Sequence, residues 1–237
     1  MKAMILAAGL GTRFKPWTDK HPKALAIVNG KSLLERNILY LQSYRIRDVI
    51  VNVHHFAEQI IEAVRVNDGW GSRITISDET GQVLETGGGL KKAADYFDYG
   101  SFVLMNVDIL TDLDLEAMAF YHEEKKPLAT LAITNRTTSR YFLFDKNNRL
   151  SGWRNTKTGE EKISLPGTLL DEKAFSGIHL ISPEIFPLMR NEGKFSIVDT
   201  YLELAGAHPI FGFDHSGSRL VDVGRTESVT VAEKLFI

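Results

Sequence analysis

The chain has 237 residues, of which 43% are hydrophobic and 24% are charged, and its formal net charge is -2. This length predicts one domain with one good core, and the near-neutral charge argues against nucleic acid as the main partner, because no basic surplus can neutralise a phosphate backbone. The absence of cysteine excludes disulfides, thiolate metal sites and a cysteine nucleophile.

The hydropathy pattern argues against a membrane protein. No stretch approaches the roughly 18 to 20 apolar residues that a membrane-spanning helix needs. The apolar run from Met1 to Ala8 is too brief for the hydrophobic part of a signal peptide and leads directly into Gly9 and Gly11. We therefore expect a first buried strand, no membrane partner and a cytoplasmic location.

In the first half of the chain, short apolar runs alternate with segments of helical period. The runs predicted as strands are Ala3–Ala8, Val49–Val53, Ile74–Ile76 and Phe102–Val107, and the segments predicted as helices are Lys31–Tyr44 and Phe56–Val66. Strands buried on both faces and amphipathic helices between them are typical of a mostly parallel sheet with helices on its faces. The pattern predicts an α/β fold.

From about Leu128 the pattern changes to strand-like runs broken by polar loops, which predicts a mixed or antiparallel extension of the sheet. The predicted strands are Leu128–Thr134, Tyr141–Phe144, Arg149–Trp153 and Phe175–Ile181. The polar stretch 155–173 is predicted as a mobile loop. Ser182-Pro183 resembles a helix N-cap followed by proline, and a final helix is expected from about Glu227.

A glycine-rich turn follows the first predicted strand. The run Leu6-Ala7-Ala8-Gly9-Leu10-Gly11-Thr12-Arg13 places two glycines and an arginine directly after apolar residues. Glycines let backbone N–H groups approach phosphate oxygens, and a guanidinium can bridge two of them. A Rossmann fingerprint fits less well because Phe14 and Pro16 interrupt it, and the P-loop pattern is absent. The turn therefore favours a polyphosphate ligand.

A second basic group follows in His21-Pro22-Lys23-Ala24-Leu25. Proline biases the preceding residue to an extended conformation. Lys23 is thereby expected near the end of the glycine-rich turn, where its ammonium could meet the same phosphates.

The run from Leu6 to Leu33 resembles the signature of the sugar-1-phosphate nucleotidylyltransferases, L-A-A-G-x-G-T-R-L-x-P-x-T followed by P-K-x-L, with departures at Phe14 and Ala24. The resemblance implies a Rossmann-like nucleotidyltransferase fold, related to that of glycosyltransferase-A enzymes. It also implies Mg²⁺ as cofactor and two substrates, a nucleoside triphosphate and a sugar-1-phosphate. The residues that it assigns to the triphosphate are Ala7, Ala8, Gly9, Gly11, Thr12, Arg13 and Lys23, with Lys23 on the α-phosphate and Arg13 and Lys23 as catalytic groups.

A further glycine-rich segment, Leu84-Glu85-Thr86-Gly87-Gly88-Gly89-Leu90, comes after Glu79. It is expected to be a loop beside a helix N-terminus, where backbone groups can read a base edge. In the family this is the base-recognition loop, which implies nucleotide contacts for Glu79, Thr86 and Gly87. The E-T-G-G-G form is most similar to the branch that uses UTP and N-acetylmuramate-1-phosphate in bacterial wall recycling. GTP with mannose or heptose phosphates, and CTP with other acceptors, remain open.

Two aspartates complete the predicted site. Asp108 follows a strand in Asn106-Val107-Asp108, and Asp222 follows Arg219-Leu220-Val221. Carboxylates at strand ends can hold an Mg²⁺ ion that also grips triphosphate oxygens. The family has its metal aspartates in these contexts, so the resemblance implies that both are metal ligands and catalytic. By the same resemblance, Asn106, Ser176 and Gly177 line the sugar pocket.

Several points stay open in the sequence. No lysine clearly matches the family residue that meets the sugar phosphate, although Lys157, Lys162 and Lys173 are candidates. His54 and His55 are read as structural, because adjacent side chains on a strand point to opposite faces.

The resemblance implies in-line attack of the sugar phosphate on the α-phosphorus. A glycosyltransferase and a non-catalytic nucleotide-sugar sensor are weaker alternatives. We expect one domain, 1–237, with a nucleotide part (about 1–125) and a sugar part (about 126–237), as a monomer or small homo-oligomer.

Overall fold

A computed structural model of the chain describes residues 1–166 and 169–237. Six α-helices are found in these ranges: α1 (Leu33–Ser43), α2 (Ala57–Val66), α3 (Glu85–Lys92), α4 (Leu115–Lys125), α5 (Ile197–Leu204) and α6 (Glu227–Leu235). The strands are β1 (Lys2–Leu6), β2 (Ile27–Val28), β3 (Lys31–Ser32), β4 (Asp48–Val53), β5 (Arg73–Asp78), β6 (Phe102–Asn106), β7 (Ile109–Thr111), β8 (Ala129–Thr134), β9 (Arg140–Phe144), β10 (Leu150–Asn155), β11 (Glu160–Ile163), β12 (Asp171–Ile181), β13 (Ile210–Asp214) and β14 (Leu220–Asp222). None of the helices in the described ranges is long and apolar enough to cross a membrane.

The main sheet has the strand order β11-β10-β9-β12-β6-β1-β4-β5, with β8 added beside β12 and β13 beside β8. Strand β1 pairs in parallel with β4 and β6, whereas β12 runs antiparallel to β6, β8 and β9. The expected mostly parallel first half and mixed second half are both present. Because β12 pairs with β6, the sheet continues across residue 125, and the division into nucleotide and sugar parts stays a prediction.

Side chains on β1 alternate between two cores, one on each face of the sheet. Ala3 and Ile5 belong to the core that helices α1, α2, α4 and α6 cover, and Met4 and Leu6 belong to the core that α3 and α5 cover. A strand buried on both faces reads as a continuous apolar run because neither of its faces meets water. The sheet with helices on both faces thus matches the predicted α/β fold class.

Three local predictions were wrong in whole or in part. Part of the predicted loop 155–173 forms β11 and the start of β12, because polar residues can occupy a sheet edge; Gly167 and Thr168 lie outside the described residues. The segment after Ser182 is a 3₁₀-helix, Pro183–Leu188, and Ser182 is its N-cap residue with proline next, as predicted. The Ser182 side chain makes no capping hydrogen bond, because its hydroxyl donates to the Pro127 carbonyl at 2.9 Å and also contacts the His122 ring.

The third error concerns the glycine segment. Gly87, Gly88 and Gly89 lie inside helix α3 and are buried. A methyl group on Gly88 would lie 2.0 Å from the Gly193 carbonyl oxygen, and one on Gly87 would lie 2.4 Å from the Phe195 ring. The three glycines therefore allow a helix to pack closely on the segment before α5, and they do not form a flexible loop.

Three buried histidines, His122, His179 and His215, each have a pKa lowered mainly by burial and should make stability depend on pH. Burial lowers the pKa of His122 to about 4 and that of His179 to about 3. An unfolded histidine has a pKa of about 6.5, so below that pH the unfolded chain binds protons that the folded chain does not. Their contribution to stability is complete above about pH 6.5 and is lost as the pH falls towards 4.

We therefore expect the free energy of unfolding to fall between pH 7 and pH 4.5, by up to about 1.4 kcal/mol per pH unit for each histidine. Denaturant unfolding at several pH values measures this slope. His122→Gln should flatten it, whereas His208→Gln, at a partly exposed position, serves as the matched control. An unchanged slope in the His122 variant would contradict the assignment.

Candidate active site

The glycine-rich turn leaves the carboxyl end of β1 at the centre of the sheet. Strand β1 ends at Leu6, two residues before the predicted end, because the N–H groups of Ala7 and Ala8 donate to the Asn52 side-chain oxygen at 2.7 and 3.3 Å. Gly11 then adopts a φ of +61°. Its carbonyl accepts from the Thr18 hydroxyl at 2.9 Å. The turn is thus shaped by specific contacts to its backbone.

Gly11 is needed both for its backbone conformation and for its lack of a side chain. Positive φ is costly for residues with a Cβ, and a methyl group here would lie 2.8 Å from Thr18 Cγ2 and 3.2 Å from Lys23 Cβ. We expect Gly11→Ala to lower stability by about 1–3 kcal/mol and affinity for the predicted nucleoside triphosphate by at least about tenfold.

Denaturant unfolding and calorimetric titration with each of the four nucleoside triphosphates would measure the two effects. Gly217→Ala is the matched control, because nothing lies within 4 Å of the added methyl group. If Gly11→Ala bound a nucleoside triphosphate like the wild type, the turn would not be part of the nucleotide site.

Lys23 and Asp108 form a largely buried ion pair. Lys23 begins the short 3₁₀-helix Lys23–Leu25 directly after Pro22, which is extended. Its ammonium donates to Asp108 Oδ2, and the side chains are 11% and 20% exposed. The ion pair joins the segment after the glycine-rich turn to the end of β6, so the two predicted site residues lie in direct contact.

Asp222 lies beside this pair although it is 114 positions later than Asp108. Strand β14 pairs with β7 so that Asp222 is opposite Ile109, and the Val223 N–H donates to the Asp108 carbonyl at 2.8 Å. Partial exclusion of solvent and the charge of Asp108 raise the pKa of Asp222, against the opposing charges of Lys23 and Arg13. The charges of the other three predicted catalytic residues, Arg13, Lys23 and Asp108, therefore all act on Asp222.

Gly224 lies between two of these groups. A methyl group at this position would lie 2.7 Å from Asp222 Oδ1 and 3.5 Å from Arg13 Nη2. Because Gly224 has no side chain, Arg13 and Asp222 can both lie close to its backbone. Sequence analysis did not select Gly224 as a site residue, although it lies only two positions after Asp222.

Arg13, Lys23, Asp108 and Gly224 border a cavity of ≈ 530 Å³, and Asp222 is not among the described residues that line it. One wall is the glycine-rich turn, from Ala7 to Arg13, and another contains Lys23, Asn106 and Asp108. The third wall contains Thr86 at the start of α3, with Lys194 and Ser196 before α5. The cavity thus brings together the turn, the ion pair and the start of the predicted base-recognition segment.

Three predicted ligand residues lie behind this surface. Glu79 is 2% exposed, and both of its carboxylate oxygens accept from protein donors, Asn52 and the Leu84 N–H. Gly87 packs on the Phe195 ring, and its N–H donates to the Phe195 carbonyl at 2.9 Å. Ser176 is fully buried, 2.8 Å from His215 Nε2. These positions suit supporting roles better than direct contact with a ligand.

Gly177 and Asn106 are neighbours at the sugar side of the predicted site. Gly177 has a φ of +73°, and a methyl group on it would lie 2.7 Å from the Asn106 side-chain nitrogen. It lies where the pairing of β12 with β8 changes register between Phe175 and His179. Close approach of β12 to Asn106, at the end of β6, therefore requires glycine.

The candidate lysines for the sugar phosphate are not among the described residues that line the cavity. Lys162 lies 3.3 Å from Asp199, Lys173 lies 2.7 Å from Asp214, and Lys157 is exposed. Lys194 lines the cavity instead, 3.4 Å from Glu85. Nothing in the local sequence around Lys194 marks it, so its position could be found only in the folded chain.

His54 and His55 contact backbone carbonyls of different segments. His54 Nδ1 lies 2.6 Å from the Glu79 oxygen, and His55 Nε2 lies 3.1 Å from the Thr18 oxygen. These separate contacts agree with the structural role that we expected for the two rings.

Comparison with known proteins supports the class of enzyme. The nucleotidyl transferase family model matches residues 2–144. An N-acetylmuramate alpha-1-phosphate uridylyltransferase from Caulobacter vibrioides is 32% identical over 91% of this chain and 88% of the relative. A mannose-1-phosphate guanyltransferase from Yarrowia lipolytica is 25% identical over 100% of this chain, which spans 64% of that relative.

A solved structure confirms the fold. HddC from Yersinia pseudotuberculosis, complexed with GMP-PN, matches with a TM-score of 0.79 and 22% identity over 100% of this chain and 99% of that chain. The chain therefore belongs to the nucleotidyl transferase family and is a sugar-1-phosphate nucleotidylyltransferase. The resemblance carried by the Leu6–Leu33 motif is confirmed.

Proposed function

We propose that this enzyme transfers UMP from UTP to N-acetylmuramate-1-phosphate and releases pyrophosphate. The observation that carries the proposal is the 32% identity to a uridylyltransferase for this sugar phosphate over 91% of the chain. The E-T-G-G-G segment, Glu85 to Gly89, supports the same branch of the family. With this substrate, the enzyme would supply a nucleotide sugar for cell-wall metabolism. We place this reaction in the cytoplasm.

The residues around the cavity support a division of roles. The turn from Ala7 to Thr12, with Arg13, would hold the triphosphate, and Thr86 would lie near the base. Asn106 and Gly177 would border the sugar. Lys23 would act on the α-phosphate, where charge is redistributed as the new bond forms.

The site is suited to Mg²⁺. Asp108 and Asp222 offer hard oxygen ligands, which this ion prefers. Burial, followed by the charge of Asp108, raises the pKa of Asp222, and a nearby cation would favour the charged forms of both carboxylates. No cluster of three or more metal-binding side chains occurs within 1–166 and 169–237. The two aspartates would hold the ion, which neutralises phosphate charge when bound.

The reaction is a displacement at the α-phosphorus. An oxygen of the sugar phosphate forms a bond to this atom, and the bond to the oxygen that bridges to the β-phosphorus breaks. The nucleophile is already ionised at neutral pH, so the site needs no general base. Rate acceleration rests on positioning by the turn and on charge neutralisation by Arg13 and Lys23.

A GTP-dependent enzyme acting on mannose- or heptose-1-phosphate is the second candidate, which the similarity to the Yarrowia lipolytica guanyltransferase favours. Membership of the family argues against a glycosyltransferase. The presence of Arg13, Lys23, Asp108 and Asp222 argues against a non-catalytic sensor.

The test is pyrophosphate release with UTP, GTP, CTP and dTTP against a panel of sugar-1-phosphates that includes N-acetylmuramate, N-acetylglucosamine, glucose and mannose. We expect UTP with N-acetylmuramate-1-phosphate to give the highest kcat/KM, by at least about tenfold. Preference for GTP with mannose-1-phosphate would instead support the second candidate. No turnover with any pair, despite folded protein and Mg²⁺, would contradict both.

A further inference from the structure

Asn52 is a buried polar residue at the carboxyl end of β4. It is 2% exposed and lies next to Leu6 in the parallel pairing of β1 with β4. Its side-chain oxygen accepts from the N–H groups of both Ala7 and Ala8. Buried backbone N–H groups need a partner, and the chain leaves the sheet at this point, so no neighbouring strand supplies one. Asn52 therefore stabilises the first residues of the glycine-rich turn.

Glu79 sets the orientation of this amide. Asn52 Nδ2 donates to Glu79 Oε1 at 2.8 Å, and Glu79 Oε2 accepts from the Leu84 N–H at 3.2 Å. An asparagine whose oxygen accepts from two N–H groups must present its NH₂ to an acceptor. The carboxylate of Glu79 is such an acceptor, so the two side chains form one buried hydrogen-bonded unit.

Helix α3 packs directly on this unit. A methyl group on Gly89 would lie 2.6 Å from Glu79 Oε1 and 2.9 Å from Asn52 Nδ2. The glycine lets the helix approach both polar groups, while the Leu84 N–H binds Glu79 from just before the helix start. The unit thus contacts two walls of the cavity, the turn on one side and α3 on the other.

We propose that Asn52, oriented by Glu79, is a positioning residue that fixes the glycine-rich turn against helix α3. The inference rests on the proposed function, in which these walls hold the triphosphate and the base. A fixed distance between them lowers the ordering cost of binding a nucleotide that contacts both. Glu79 thereby supports nucleotide binding without touching the nucleotide.

The test exchanges the two functional groups. Asn52→Asp places a carboxylate against Glu79, whereas the double variant Asn52→Asp with Glu79→Gln restores one donor between the side chains and keeps the net charge. In that variant the new carboxylate accepts from the turn and from the new amide, whose own oxygen accepts from the Leu84 N–H. Asn155→Asp is the control, because buried Asn155 also accepts from a backbone N–H, that of Lys157 at 3.0 Å.

Two quantities are measured. The first is hydrogen exchange at the Ala7 and Ala8 amides, in ligand-free and in UTP-bound protein. The second is the Kd for UTP with Mg²⁺. We expect Asn52→Asp to speed exchange and to weaken UTP binding by at least about tenfold, and the double variant to return both to within about threefold. Asn155→Asp should change neither. If Asn52→Asp does not fold, Glu79→Gln alone is compared with the double variant. Glu79→Gln should speed amide exchange and weaken UTP binding by less than is expected for Asn52→Asp, and the double variant should show no larger effects than Glu79→Gln.

The outcomes separate the inference from the proposed function. Unchanged amide exchange in Asn52→Asp and Glu79→Gln, or no recovery in the double variant, would overturn the positioning role and leave the nucleotide site untouched. Faster exchange with unchanged UTP affinity would show that the unit holds the turn but that the turn does not bind the triphosphate, and the proposed site would then fail.

Discussion

Asp108→Asn and Asp222→Asn are each expected to lower turnover by at least about a hundredfold, because losing a metal ligand removes charge stabilisation worth several kcal/mol. The two carboxylates come from separate strand ends, and the charge of Asp108 contributes to the raised pKa of Asp222. Each substitution should therefore also weaken Mg²⁺ binding, since it halves the negative charge available at this place. Folding should survive.

Pyrophosphate release over a range of Mg²⁺ concentrations measures both effects. Asp98→Asn is the matched control, because Asp98 is an exposed partner of Lys2 remote from the cavity lining. It should keep near-normal turnover and Mg²⁺ dependence. If either site variant retained a near-normal rate at limiting Mg²⁺, that aspartate would not be the proposed ligand.

Lys23→Ala is expected to lower kcat by about a hundredfold while weakening acceptor binding less, because the proposed contact is to the α-phosphate, where charge is redistributed in the transition state. Arg13→Ala should behave similarly. The loss of Lys23 also leaves Asp108 without its ion-pair partner. Mg²⁺ binding by the Lys23 variant should therefore be retained, which distinguishes it from the aspartate variants.

Steady-state kinetics with each substrate varied in turn separates the effects on kcat and KM. Lys20→Ala is the matched control, because Lys20 is exposed and lies three residues earlier in the same segment. An unchanged kcat with a raised KM for the sugar phosphate would assign Lys23 to the acceptor instead.

The sequence predicted best where function depends on a short continuous segment. The turn from Leu6 to Arg13 requires a positive φ at Gly11, a conformation that favours glycine. Lys23 directly follows Pro22, so it too belongs to a short local motif. Strand β1 could likewise be predicted, because burial on both faces leaves an uninterrupted apolar run. These features are determined within a few residues, so local physical chemistry is sufficient to find them.

The sequence was misleading where glycine or a polar side chain serves packing. Gly87 and Gly89 suggested a loop open to a ligand, but they are buried where α3 meets Phe195 and the Asn52–Glu79 unit. Ser176 belongs to a motif of the family, yet its hydroxyl points to buried His215. Both kinds of error have one cause, because the contacts that use these residues come from segments far away in the chain.

Local sequence was sufficient for the α/β fold class, the family and the glycine-rich turn, whereas the roles of the two aspartates stay a prediction. Three features of the site are visible only in the folded chain: Asp108 pairs with Lys23, Lys194 lines the cavity, and Asn52 joins β4 to the turn. The difference is one of range. A turn or a buried strand depends on neighbours in sequence, whereas a cavity wall depends on which strand ends the sheet order places side by side.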